Sequence, residues 1–319
     1  MRAAVCPRHG PPEVVRIEER PVPEPGAGEV RVRVHAAAVN FPDVLLVADK
    51  YQISVPPPFV PGSEFAGEVV ALGPACSGIA VGDRITGTGL HGAFAEQLVA
   101  PAATLTRIPD GVDFADAAAF GVTYRTAYHC IRSVARAAAG AELIVLGAGG
   151  GVGSAAVALG ARLGLSVTAV ASSNDKLDVA QSLGARHLIN HRAGDLRAAL
   201  RSALPDGADA VIDPVGGALS EPALRALRRA GRFVTVGYAS GTVPRIPLNL
   251  VLVKGIHILG FQFQDVAPEE FRRNETELGA LLAADMRPHI GVRFTLTDAP
   301  AALRLVADGR AVGKVIVDL

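Results

Sequence analysis

The chain has no surplus of either charge. Across 319 residues, 31 Lys and Arg balance 31 Asp and Glu, and no long run of one sign interrupts them. A polyanion footprint is missing, which argues against nucleic acid as a partner. Cysteine is scarce too: Cys6, Cys76 and Cys130 lie far apart in no paired spacing. That excludes a disulfide framework and a thiolate metal cluster, and leaves isolated buried thiols. No stretch reaches the ~18 apolar residues of a membrane span. The opening MRAAVCPRHGPPEVV holds no uninterrupted apolar core of signal-peptide length. The expectation is a cytoplasmic protein with no membrane contact.

What is present is globular. Half the residues are hydrophobic, broken into short runs by 35 Gly and 22 Pro. The length favours two domains. EVRVRVHAAAV alternates like a half-buried strand, and EFAGEVVALG and VGDRITGTG read as further strands of a small barrel. From DGVDFADAAAF onward the spacing becomes helical, with Asp113 as N-cap and Gly140 as the stop, and a boundary near Val122. From Glu142 strands and helices alternate: ELIVLGA, SAAVALGARLG, SVTAVAS, KLDVAQSLGA, DAVIDPV, ALRALRRAG, RFVTVG. That rhythm signals a parallel sheet covered by helices. After Gly260 it stops, and the closing segment through KVIVDL is expected to return to the first domain. The expected division is 1–122 plus 262–319, with 123–261 inserted.

Residues 147–153 read GAGGGVG, directly after an apolar strand and directly before a helical run. Ala148, Gly150 and Gly153 take the three positions of a dinucleotide fingerprint, with Gly149, Gly151 and Val152 between them. The first turns tightly, the second admits the pyrophosphate, and the third lets helix pack on strand. The helix N-terminus then offers amides and dipole to the phosphates. About 20 residues on, an NAD-binding fold presents an acid to the ribose. Here stand Ser172 and Ser173, with Lys176 close by and His191 and Arg192 further along. This set suits a 2′-phosphate and favours NADPH; Asp175 complicates the choice, reading either as a first-turn helix acid or as a ribose contact, with the helix acid favoured.

With AAAVNFPDVLL at 36–46, PFVPGSEFAGEVVALG at 58–73, VGDRI at 81–85, GVTYRTAY at 121–128 and DPVGG at 213–217, the sequence resembles the medium-chain dehydrogenase/reductase superfamily over essentially its full length. Within it the likeness is to the zinc-free quinone oxidoreductase branch, zeta-crystallin-like. The resemblance implies an α/β protein: a doubly wound Rossmann sheet inserted into a GroES-like, β-barrel-type catalytic domain, with cofactor and substrate in a cleft between them. Zinc relatives carry Cys and His where this chain has Asn40 and Ser63, so no metal is expected. An amide and a hydroxyl do not replace a thiolate and an imidazole on Zn²⁺. Without a Lewis acid the expected chemistry is reduction of an activated acceptor by NADPH.

By resemblance Asn40 and Tyr51 are the catalytic candidates. The Asn40 amide could bond the acceptor carbonyl or the ribose, or only shape the turn. Tyr51 resembles a proton donor of zinc-free enoyl reductases, or could simply wall the pocket. Thr123, Thr126, Gly237 and Phe261 are expected to line the cofactor site. Asp43 and Glu64 read as structural, His129 as a core or surface residue, and Arg132 and Arg136 as a solvated face. HILGFQF could pair with its copy in a homodimer. The rival readings are an NADPH-dependent enone reductase and a non-catalytic, crystallin-like NADPH-binding protein.

Overall fold

The computed structural model describes residues 1–319 apart from the side chain of residue 264. They form two compact units, Met1–Val122 with Leu281–Leu319, and Thr123–Ala280.

The first unit opens with β1 (Arg2–Val5), β2 (Arg16–Glu19), β3 (Glu29–Val39), α1 (Phe41–Val47), β4 (Glu64–Leu72), β5 (Arg84–Thr88), β6 (Gln97–Pro101), β7 (Thr106–Arg107) and the start of α2 (Phe114–His129). The second contains β8 (Glu142–Leu146), α3 (Gly151–Arg162), β9 (Ser166–Ala171), α4 (Asn174–Ser182), β10 (His187–Asn190), α5 (Leu196–Ala203), β11 (Ala208–Asp213), α6 (Ser220–Arg225), β12 (Leu227–Thr235), α7 (Leu248–Lys254), β13 (His257–Gly260) and most of α8 (Pro268–Ala284). The chain then returns to the first unit through β14 (Ile290–Thr295), α9 (Ala299–Ala307) and β15 (Lys314–Asp318).

In the first unit β14, β15, β3, β4, β5 and β7 run side by side, with β6 also on β3. Alternation in β3 explains its place: Val30, Val32 and Val34 are buried, while the residues between them are not. β15 pairs antiparallel with β3, matching Val317 to Ala37. Leu46, Phe59, Phe94, Leu303 and Val317 share one core. Each such side chain contributes about 1.5–3 kcal/mol on burial.

In the second unit the order is β10-β9-β8-β11-β12-β13, every pair parallel. The chain starts mid-sheet at β8, moves outward to β10, then returns to β11 on the other side. That reversal puts a ligand crevice at the carboxyl ends of β8 and β11. Ile144, Leu146, Val211 and Phe233 fill the core beneath it.

Three sequence expectations are corrected. Residues 262–280 belong to the second unit rather than the first, because α8 bonds to the helix before β8. Glu275 grips Arg125 through both carboxylate oxygens at 2.9 Å, and Asn274 donates to Ser133 at 3.0 Å. The α2 helix stops well before Gly140: a π-helical turn over Cys130–Val134 ends it, and Arg136 turns left-handed at φ 51°. Finally, Leu227–Gly231 are strand, not helix. Leu227 pairs with Ala208, and the register shifts before Arg232 pairs with Ala210. Asp113 does cap the helix, its carboxylate accepting from the Asp116 amide at 2.7 Å.

Candidate active site

The glycine turn is shaped by close approaches. After β8, Gly147 adopts φ 63°, and a Cβ there would sit 2.6 Å from Val215. The turn after β8 therefore touches the turn after β11. Asp213 holds that second turn, its carboxylate accepting from the Val215 and Gly216 amides at 2.9 and 2.8 Å and from the Ser220 hydroxyl at 2.6 Å. Gly153 is fixed more tightly, since its Cβ would come within 2.0 Å of the Gly147 carbonyl. Ala148 is buried and donates its amide to Val170 at 3.0 Å. Gly150 caps α3 in an extended conformation, and a Cβ there would meet nothing nearer than 3.4 Å. The space over Gly150 is a cradle that the protein leaves open, facing the unpaired amides of Gly151, Val152 and Gly153 at the head of α3. These residues fit a nicotinamide dinucleotide.

Beside the turn, the carboxyl ends of β9 and β10 carry cations. The Lys176 stem lies over Gly149, close enough that a Cβ there would be 2.5 Å away, and its ammonium donates to Ser172 at 3.4 Å. Ser173 caps α4, and Asp175 is exposed in its first turn. Asn190 donates to Asn174 at 3.0 Å, tying the two loops together. Burial and Arg192 push the Lys176 pKa down. Burial, Arg192 and Lys176 push that of His191 down. Burial is the larger cause in both, and Arg192 acts on each.

The first unit holds a buried polar cluster. The Lys314 ammonium donates to Asn40 Oδ1 at 2.8 Å and Glu64 Oε2 at 3.2 Å; Lys314 is 2% exposed and Glu64 not at all. The Asn40 Nδ2 group donates to Glu64 at 3.0 Å and Ser63 at 3.4 Å. Glu64 Oε1 accepts from the Val122 amide at 2.6 Å, and Asp43 Oδ2 from the Asn40 amide at 2.7 Å. Asn40 is thus engaged at both ends of its amide within the chain, and it also heads α1. Burial pushes the Asp43 carboxyl up to about 7, against the Asn40 amide, the Ser63 hydroxyl and Lys314, which lower it. Among the described residues no group of three or more His, Cys, Asp or Glu could hold a metal ion. The donor set at Asn40 and Ser63 does not suit zinc.

Tyr51 lies half-buried against the core of the same unit. In the second unit Thr123 and Thr126 are buried. Gly237 follows β12, with its amide 3.4 Å from the Asp213 carbonyl. Phe261 stands in an aromatic group with Phe263, 4.8 Å between centroids, and His129, 6.0 Å. His129 is fully buried, with Asn274 Nδ2 at 3.0 Å from its Nδ1. Sequence reasoning missed Lys314 and the Asn274–Glu275 contacts, because their partners lie 274 and 145 residues away. The turn-holding role of Asp213 has a local signal, an acid at a strand end with Gly216 and Gly217 three and four residues on.

Residues 26–110 match the alcohol dehydrogenase GroES-like domain, and residues 151–279 the zinc-binding dehydrogenase family. The mouse quinone oxidoreductase-like protein 2 is 35% identical over 326 residues, covering 100% of this chain and 92% of its own. A mycobacterial structure complexed with NADPH superposes with TM-score 0.91 at 29% identity, covering 100% of each chain. An NAD-dependent alcohol dehydrogenase does so with TM-score 0.90 at 31% identity, again over 100% of each.

Gly150→Ala should melt as wild type does yet bind nicotinamide dinucleotides at least ~tenfold more weakly, because the methyl intrudes only on the cradle. Gly153→Ala should instead lose about 1–3 kcal/mol of stability. Calorimetric titration beside urea unfolding separates the two, and the idea fails if Gly150→Ala binds normally. Asp43 has a testable sign. Its folded pKa is raised, so it holds a proton that the unfolded chain releases between about pH 4 and 7, and its contribution to stability falls as pH rises through that window. Relative to wild type, Asp43→Asn should gain on the order of 4 kcal/mol between about pH 4 and pH 8 in urea unfolding. A constant difference would refute the shift.

Proposed function

The chain belongs to the medium-chain dehydrogenase/reductase superfamily, in its quinone oxidoreductase branch, and we propose that it passes hydride from NADPH to a quinone or another conjugated carbonyl compound. That it is an oxidoreductase with a nicotinamide cofactor follows from the family. The choice of NADPH rests on one observation: Lys176, His191 and Arg192 gather where an NAD enzyme would place a carboxylate, with Ser172 and Ser173 supplying hydroxyls. A ribose 2′-phosphate would add negative charge beside Lys176 and Arg192, with His191 and the serine hydroxyls in hydrogen-bonding reach. When bound, the reduced nicotinamide supplies the hydride.

The chain's own groups hold and orient. Gly150 admits the pyrophosphate and α3 presents amides to it. Thr123, Thr126, Gly237 and Phe261 are proposed to line the nicotinamide end. Asn40 acts as an orienting residue, its amide held by Lys314 and Glu64. Tyr51 is proposed to give a proton to a reduced enone, while a quinone can take its protons from solvent. A quinone or enone suits this site because the transferred charge spreads onto oxygen, where hydrogen-bond donors stabilise it without a metal.

The double variant Lys176→Gln/Arg192→Gln should raise KM for NADPH ~tenfold or more and leave that for NADH nearly unchanged, read as cofactor oxidation at 340 nm. An equal effect on both cofactors would remove the 2′-phosphate assignment. In the same assay Tyr51→Phe should spare 1,4-benzoquinone reduction. If a simple enone is turned over by wild type and falls ~100-fold in the variant, enone reduction becomes the better reading.

A second copy of this chain is the proposed partner. β13 has only β12 beside it among the described residues, with Ile258 exposed. α7 buries none of its residues, and Leu248, Leu252 and Val253 are 73%, 84% and 65% exposed. An open edge beside bare apolar side chains suits strand pairing across a twofold axis. Sedimentation equilibrium should give twice 32.8 kDa, and Leu252→Glu should halve it; a wild-type mass of one chain would end the proposal.

A further inference from the structure

A cavity of about 480 Å³ opens at the opposite end of the parallel sheet from the glycine turn, where β11 and β12 begin. Six cations line it: Arg197 and Arg201 from α5, Arg225 from α6, Arg228 and Arg229 at the start of β12, and Lys254 at the close of α7. Three carboxylates answer them. Glu221 pairs with Arg225 at 2.6 Å, Asp209 pairs with Arg228, and Asp206 stands in the lining. Six cations less three carboxylates leave three positive charges in a protein whose net charge is zero.

The unbalanced charge has definite places. Arg197 and Arg201 lie four apart, hence on one face of α5, and neither side chain has a hydrogen-bond or ion-pair partner among the described residues. The Lys254 ammonium is half-buried and fixed by the Arg225 and Leu227 carbonyls, both at 2.7 Å, which leaves one of its three N–H groups to spend elsewhere. Burial and Arg225 push its pKa down. The cavity also has an apolar side, formed by Leu204 and Leu250. Its volume falls in the range of small-ligand sites, about 300–1,000 Å³, and exceeds what a bare inorganic anion needs.

We propose that this cavity binds a small organic phosphate, with the phosphoryl group on Arg197, Arg201 and Lys254 and the carbon body against Leu204 and Leu250. A phosphate monoester carries roughly −1.5 to −2 at neutral pH and three acceptor oxygens, which matches the surplus charge and the convergent donors. A single carboxylate would leave most of that surplus unanswered. The site is separate from the hydride-transfer machinery, lying at the amino ends of strands whose carboxyl ends frame the cofactor turn.

Phenyl phosphate is the probe, titrated calorimetrically into wild type, Arg197→Gln/Arg201→Gln and Lys176→Gln/Arg192→Gln, each checked by thermal melting. The expected result is saturable binding to wild type, weakened ~tenfold or more in the Arg197/Arg201 variant and unchanged in the Lys176/Arg192 variant. Arg201→Gln alone serves if the double variant melts early. Absence of saturable heat with wild type, or binding lost only from the Lys176/Arg192 variant, overturns the proposal; the latter would place the probe in the cofactor's own phosphate site.

Discussion

The first unit depends on one buried charge. Lys314 enters the interior with almost no water contact and is neutralised there by Glu64, with Asn40 sharing the ammonium. Removing water from two ions costs several kcal/mol each, a cost offset here by hydrogen bonds to both Glu64 oxygens and from two of the three Lys314 N–H groups. Glu64 spends its second oxygen on the Val122 amide, and Asn40 spends its amide hydrogens on Glu64 and Ser63. Four elements, α1, β4, β15 and the middle of α2, are thereby locked at one point. Directional bonds of this kind fix register in a way that the surrounding Val and Leu packing, being non-directional, does not.

The second unit is governed by contact of a different sort. Its cofactor end consists of backbone brought so close together that side chains are excluded, at Gly153 against Gly147 and at Gly147 against Val215. What is left open over Gly150 is defined by what has been squeezed out around it. The positive charge then sits beyond the ends of β9 and β10, one loop away from the phosphate cradle. Position within the sheet thus separates two features, close backbone packing at the ends of β8 and β11 and positive charge at the ends of β9 and β10.

Legibility followed sequence distance. The glycine turn was readable because strand, turn and helix lie within about two dozen residues, and local backbone rules decide them. The alternation of β3 was readable for the same reason. Leu227–Gly231 misled because ALRALRRAG carries helical spacing, and only pairing with β11 makes its second half a strand. The extent of the second unit was misjudged because Asn274 and Glu275 give no local sign that they bond to Arg125 and Ser133. At the site, Asn40 and Ser63 could be noticed as replacements, but not as members of an ion-pair cluster, since Lys314 sits in an ordinary apolar strand, KVIVD. A lone lysine there reads as solvent-facing until its neighbours are known.

The Lys314–Glu64 contact spans 250 residues, and this sets an order of events during synthesis. At roughly 5–20 residues per second, Glu64 is added to the chain on the order of 12–50 seconds before its counter-ion is made. During that interval the carboxylate has no cation for the interior position, so the strands around it have reason to stay hydrated and loosely formed. The second unit needs no such late arrival, because its strands and glycine turn are all contained in Thr123–Ala280. The nucleotide fold can therefore mature first, while the older part of the chain waits in water for its final strand.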